Sequence, residues 1–79
     1  MIFNREEFRD LIIRKNIDIH ALAETCNISI STIRRLMNPN NQTLPNPTLE
    51  VLHILFTHLE LTAEEATLIA FPFLAQDYT

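Results

Sequence analysis

Apolar residues recur at helical spacing in five separate segments of the chain. In the first segment, Phe8, Leu11 and Ile12 repeat at intervals of three and four residues, which predicts a helix over residues 5–15. The same spacing predicts four further helices, over residues 19–26, 30–37, 47–59 and 63–70. No segment carries a strand pattern stronger than the apolar residues after position 70. We therefore expect an all-α fold of five helices in one domain spanning residues 1–79.

Polar residues stand where each predicted helix begins, and their side chains can accept hydrogen bonds from free backbone N–H groups. The predicted N-cap residues are Asn4, Asp18, Ser29, Asn46 and Thr62. Asn4 with Glu7, and Thr62 with Glu65, have the spacing of a capping box, in which the later carboxylate reaches back to the cap. Pro47 suits the first position of the fourth helix because its missing N–H would have no partner there.

The chain contains no glycine. Phosphate-binding loops and dinucleotide fingerprints require glycine, so nucleotide-binding enzymes of those types are excluded. Helices also commonly end at a left-handed residue, which is usually glycine and otherwise most often asparagine. We therefore expect left-handed turns at Asn16 and Asn27.

The charges are unevenly distributed, although the net charge is −4. All six Lys and Arg residues lie in positions 1–38 with five acidic residues, whereas positions 39–79 hold five acidic residues and neither Lys nor Arg. A polyanion-binding surface is therefore expected in the first half of the chain.

The second and third predicted helices are short and are joined by a turn, a pattern that presents a helix to the DNA major groove. The segment 17–36 resembles the lambda-repressor-like (Cro/repressor, XRE-type) helix-turn-helix family, with Asn27 where that family usually has glycine. The matching positions are Leu22, Ala23, Ile28, Ser29, Ile33 and Leu36, and segment 46–52 is similar to that family's fourth-helix start. The resemblance implies a compact five-helix domain with its helix-turn-helix over 18–37.

The resemblance also implies a function and a set of DNA contacts. The chain is expected to be a sequence-specific transcriptional regulator, a repressor that occupies an operator as a homodimer with helix 30–37 in the major groove. Base-reading side chains are expected at Ile30, Ser31, Arg34 and Arg35, since arginine can bind guanine bidentately. Positions that resemble the family's backbone contacts are Ile19, His20, Thr32, Asn40, Asn41, Gln42 and Thr43.

The sequence departs from the family pattern in two places. An Arg–Glu pair often joins helix 1 to the end of the recognition helix, whereas the matching residues here are Ile12 and Met37. Such an apolar replacement is commonly neutral or stabilising, so the fold is still expected. The loop before the fourth helix is also a few residues longer than usual.

The apolar residues near the C-terminus allow two interpretations. Phe71, Phe73, Leu74 and Tyr78 either fold back onto the domain or form a homodimer contact, together with the fourth and fifth helices within residues 47–79. The dimer is favoured because pairing doubles the DNA contacts. A rival hypothesis is a protein-interaction module, such as an antitoxin or a regulatory adaptor, that uses this tail to bind a toxin or co-regulator.

Other chemistry is not indicated. The three histidines lack ligand spacing, and Cys26 is expected to be a buried apolar residue, so we expect no metal site and no cofactor. Asp18 and Ser29 are better explained as helix caps than as catalytic groups, and we expect no enzyme. The single cysteine favours a reducing cytoplasm, and no apolar run is long enough for a membrane anchor.

Overall fold

Five helices form most of the part of the chain that the computed structural model describes, residues 2–40 and 47–71. They are α1 (Arg5–Arg14), α2 (Ile19–Cys26), α3 (Ile30–Met37), α4 (Leu49–Leu59) and α5 (Ala63–Ile69). The prediction of an all-α, five-helix fold is confirmed. Helix α1 packs against α3 and α5, and α2 packs against α3 and α4.

The start of α4 was wrongly predicted. The helix begins at Leu49 and not at residue 47, because Thr48 is its N-cap and accepts a hydrogen bond from the backbone N–H of Val51 at 3.2 Å. Pro47 therefore precedes the cap and does not occupy the first helical position. Asn46, the cap expected from the sequence, lies outside the described residues.

A short strand pair, which the sequence pattern did not predict, joins the two ends of the fold. Strand β1 (Ile2–Phe3) runs antiparallel to β2 (Ala70–Phe71), with Phe3 opposite Ala70. The next backbone N–H, that of Asn4, donates to the carbonyl of Ile69 at 2.6 Å. The capping box expected at α1 is therefore half wrong. The Asn4 N–H, which the Glu7 carboxylate was expected to accept from, is bonded to Ile69 instead. The other half is confirmed, since the Asn4 side chain accepts from the Glu7 N–H at 3.0 Å.

The core is formed by apolar residues of all five helices. Its largest fully buried side chains are Phe8, Leu11, Ile33, Leu52, Leu55, Phe56 and Ile69. The apolar spacing along the sequence therefore identified most inward-facing positions, but Leu49 of α4 and Leu68 of α5, which fit the same spacing, are 52% and 64% exposed. Cys26 also lies in the core, as expected, and burial raises the pKa of its thiol.

Left-handed residues end two of the helices and the turn after α1. Asn16 and Asn27 have φ values of 53° and 55°, which confirms the sequence prediction. Glu60, at the end of α4, has φ 54° and was not predicted. There the N–H of Leu61 donates to the Phe56 carbonyl, which satisfies one of the helix's terminal carbonyls.

The start of α5 is tied to the end of α1 by charge. The complete capping box predicted at Thr62 and Glu65 is present, and the same carboxylate lies 3.4 Å from Lys15 Nζ and 4.0 Å from Arg14 Nη2. The hydrogen bond from the Thr62 backbone N–H lowers the pKa of the Glu65 carboxyl below its ordinary value of 4.5, and Lys15 lowers it further while partial burial opposes both.

Glu65→Gln is expected to reduce the decrease in the free energy of unfolding as the pH falls from neutral to acidic. Because the pKa of Glu65 is lower in the folded state, its charge stabilises the fold above about pH 4.5, and this contribution disappears as the pH falls through the folded-state pKa. The glutamine side chain can still accept the capping bond, so the loss at pH 7 should stay below about 1 kcal/mol. Urea denaturation at pH 7 and pH 3 measures the difference. Glu64→Gln is the matched control, and an unaltered pH dependence in Glu65→Gln would contradict the assignment.

Candidate nucleic-acid interface

Helices α2 and α3 each have eight residues and are joined by the turn 27–29. Asp18 begins α2 by accepting hydrogen bonds from the N–H groups of His20 and Ala21, at 2.9 and 3.3 Å. The left-handed Asn27 ends it, and Ser29 begins α3 by accepting from the Thr32 N–H at 3.1 Å. The bounds and caps predicted for both helices are confirmed. Capping at both starts fixes the direction in which α3 leaves the turn.

Helix α3 has one buried and one exposed face. Ile33 and Leu36 are buried in the core. Ser31, Arg34 and Arg35, at spacings of three and four residues, are all exposed. They therefore lie on one side of the helix and face solvent together.

The remaining predicted contact residues on the two helices differ in exposure. Ile30 and Ile19 are partly buried and pack against the core, so only part of each side chain is exposed to solvent. Thr32 is half-buried, and its hydroxyl lies 2.8 Å from the Ser29 hydroxyl in a hydrogen bond within the turn. His20, at the start of α2, is exposed. Thr32 is therefore occupied in the cap, whereas His20 is open to solvent.

Beyond α3, the predicted backbone contacts lie in the segment that leads to α4. Asn40 is exposed, and its N–H donates to the Asn38 side chain at 3.0 Å. Asn41, Gln42 and Thr43 lie outside the described residues, as does the longer loop expected there.

Four of the six basic residues have partners within the described part of the chain. Arg9 pairs with Asp10 at 3.3 Å, and both Arg14 and Lys15 approach Glu65. Arg5 is buried, and its guanidinium donates a hydrogen bond across the helix interface. Each of these four groups therefore already has a partner within the protein.

Arg34 and Arg35 are the two basic residues that remain. Their guanidinium groups make neither an ion pair nor a hydrogen bond within residues 2–40 and 47–71. Two adjacent, solvated cations with no internal partner are free to bind an external anion or a hydrogen-bond acceptor.

An open groove of about 360 Å³ adjoins the exposed face of α3. It is lined by Arg34, by Arg9 of α1 and by Ile19 at the start of α2. The remaining lining residues are Met37, Asn38, Pro39 and Asn40. Guanidinium and amide groups beside an open groove suit a phosphate oxygen or the polar edge of a base.

Arg5 provides a polar link between α1 and α3. Ile12 is buried and Met37 packs against the core, as their apolar character predicts. Arg5 Nη1 instead donates to the backbone carbonyl of Arg35 at 2.8 Å. Sequence reasoning missed this contact, although the spacing of residues 5, 8 and 12 places Arg5 on the core-facing side of α1.

The dimer residues expected from the sequence fall largely outside the described part. Phe73, Leu74 and Tyr78 lie beyond it, and only the backbone of Phe71 is described, as part of β2. Leu68, one turn earlier on α5, is 64% exposed. An exposed apolar residue on α5 thus lies close in sequence to the apolar residues that follow position 70.

Two other features, a group of metal ligands and a membrane-spanning helix, are absent from the same residues. Within 2–40 and 47–71, no three His, Cys, Asp or Glu side chains are grouped so that they could hold a metal ion. In those ranges no helix has the length and apolar content needed to cross a membrane. No protein-family model, curated protein or solved structure matches the chain.

Proposed function

We propose that the protein is a sequence-specific DNA-binding regulator of transcription in which α3 enters the major groove. The observation that carries this proposal is a pair of arginines, Arg34 and Arg35, on the exposed face of a helix whose other face is buried. Neither guanidinium has an ion pair or hydrogen bond among the described residues. The major groove is wide enough for one α-helix, and a capped preceding helix braces it across the backbone.

The exposed side chains of α3 match the chemistry of base edges. Arginine donates two parallel hydrogen bonds to the O6 and N7 atoms of guanine, and each such pair provides about 1–3 kcal/mol of discrimination. Ser31 lies on the same face and can bond a base or a phosphate. The exposed part of Ile30 provides a contact for a thymine methyl group. We therefore expect guanine-containing half-sites.

Neighbouring groups provide contacts to the sugar–phosphate backbone. His20, at the capped start of α2, and Asn40 are both exposed. Arg9 lines the same groove as Arg34, and its charge becomes available there once it exchanges Asp10 for a phosphate. Neutral amides and helix starts bind phosphates without requiring a basic protein, so the net charge of −4 is compatible with this function.

We propose further that a cytoplasmic homodimer represses transcription by occupying a two-fold symmetric operator. Two free arginines give one protomer few base contacts, and a second copy about one DNA turn away doubles them. The apolar tail, with Phe71, Phe73, Leu74 and Tyr78, is the proposed dimer contact. Exposed Leu68 on α5 supports an apolar contact at this end of the domain.

Selection of bound sequences from a random DNA pool tests the proposal. We expect enrichment of a two-fold symmetric consensus whose half-sites contain guanine and whose centres are about 10 base pairs apart. An asymmetric single site would retain DNA binding but contradict the dimer. A pool without enrichment would overturn the proposed function and favour the rival hypothesis, a toxin-binding or adaptor module that uses the exposed Leu68 and the tail.

A further inference from the structure

The contact between α1 and the end of α3 is made by a buried charge. Arg5, the first residue of α1, is 8% exposed. Its Nη1 donates to the carbonyl oxygen of Arg35 at 2.8 Å, across 30 positions of sequence. Its guanidinium also lies over the ring of Phe3, 5.7 Å from the ring centroid. A charged side chain with a planar partner and a short hydrogen bond is held in one orientation.

The acceptor of this bond is a group that the helix itself leaves poorly satisfied. The last four carbonyls of a helix have no partner in the regular hydrogen-bond ladder. Besides the bond from Arg5, the Arg35 carbonyl accepts within the described residues a long bond of 3.3 Å from the Asn38 N–H. The positive charge of Arg5 also stands at the negative end of the α3 dipole, where it is favourable. Arg5 thus caps the C-terminal turn of α3 from a different helix.

The residues that precede Arg5 connect it to the strand pair. Phe3 is opposite Ala70 in the β1–β2 pair, and its ring packs against Phe8 with the centroids 5.6 Å apart. The Asn4 N–H bonds the Ile69 carbonyl at the end of α5. Three successive residues therefore join the strand pair, the end of α5 and the end of α3.

From these contacts we infer that Arg5 is a positioning residue for DNA recognition: it fixes the last turn of α3, and with it the backbone from which Arg35 reaches the bases. The DNA part of this inference rests on the proposed function. Bidentate recognition requires the guanidinium to be held within about 0.5 Å of its productive place. Loss of the Arg5 contact frees the last turn, so base reading suffers while attraction to phosphates is retained.

Arg5→Met tests the inference with two measurements. The first is amide hydrogen exchange, for which we expect Met37 and Asn38, relative to Leu55 in α4, to exchange at least about fivefold faster than in the unaltered protein. The second is the ratio of dissociation constants for the selected sequence and for a scrambled one. We expect this ratio to shrink roughly tenfold, the low end of what one bidentate arginine discriminates. A lower folded fraction does not change that ratio, so the measurement separates positioning from stability.

Two further variants complete the design. Arg14→Met is the matched control, because it removes an arginine from the same helix where the side chain is 62% exposed and 4.0 Å from its partner. It should change neither measurement. Arg5→Lys keeps the charge and one donor, so it should recover part of the discrimination and remains usable if Arg5→Met does not fold.

The outcomes distinguish this inference from the proposed function. Unaltered exchange at Met37 and Asn38 in both Arg5 variants would overturn the positioning role, whatever the protein binds. Faster exchange with an unaltered discrimination ratio would overturn its link to DNA recognition. A protein that selects no DNA sequence would overturn the proposed function, while the exchange measurement would still decide whether Arg5 holds α3.

Discussion

Replacing Arg34 and Arg35 together with alanine is expected to abolish sequence-preferring DNA binding and to leave the helical circular dichroism unchanged. Both side chains are exposed and without a partner in the described part of the chain, so the fold loses no ion pair or side-chain hydrogen bond there when they are removed. Each bidentate arginine–guanine pair provides about 1–3 kcal/mol of discrimination. Removing both should therefore lower the affinity for the selected sequence roughly 30-fold to 10⁴-fold. Fluorescence anisotropy with the selected sequence measures the affinity.

The chain offers a matched control for this experiment in its other adjacent basic pair. Arg14→Ala with Lys15→Ala removes the same formal charge, but both residues pair with Glu65 and do not lie on α3. We expect the control to lose much less affinity and to destabilise the fold by no more than about 1 kcal/mol. Equal losses in the two double variants would mean that net charge, and not the exposed face of α3, governs binding. Unchanged affinity in the Arg34 and Arg35 variant would refute the proposed interface.

Phe8→Ala is expected to have the largest effect on stability. The side chain is fully buried, and its ring packs against Phe3 at 5.6 Å. Truncating a buried phenylalanine costs about 3–5 kcal/mol because contacts are lost and a cavity remains. A domain of this size has a total stability of roughly 4–12 kcal/mol, so the variant should lose at least about a quarter of it. Urea denaturation monitored by circular dichroism gives the free energy of unfolding.

Ile13→Ala is the control on the same helix. Ile13 is 66% exposed, so its truncation should change stability by no more than about 0.5 kcal/mol. If the two variants were destabilised equally, the inward face of α1 would be wrongly assigned. A much smaller loss in Phe8→Ala would indicate that the core collapses around the truncated side chain.

The features that the sequence predicted correctly are local ones. Apolar spacing and caps such as Asp18 and Ser29 act within one or two turns, so the bounds of α2 and α3 followed directly from them. The left-handed residues Asn16 and Asn27 were also predictable, since few residues other than glycine adopt that conformation readily. The exposed face of α3 follows from the same periodicity.

The features that were missed depend on partners far apart in sequence or on competing local choices. Strand β1 is two residues long, too short to show alternation, and its partner lies nearly seventy residues away. The bond from Arg5 to the Arg35 carbonyl is equally non-local, and a backbone acceptor leaves no mark on sequence. At α4, Thr48 competes with Asn46 as the cap, and both have suitable side chains. Glu60 has no intrinsic preference for its left-handed conformation, so its role depends on where α4 stops.

Each end of α1 carries a basic side chain that has a different kind of partner. Arg5 at its N-terminal end bonds the backbone of Arg35, whereas Lys15 just past its other end bonds Glu65 of the acidic second half. Ten helical residues separate these points by about 15 Å, which exceeds the screening length of roughly 8 Å at physiological salt. Under the proposed function, the rate of association with DNA should therefore depend on how the charges are arranged more than on their sum.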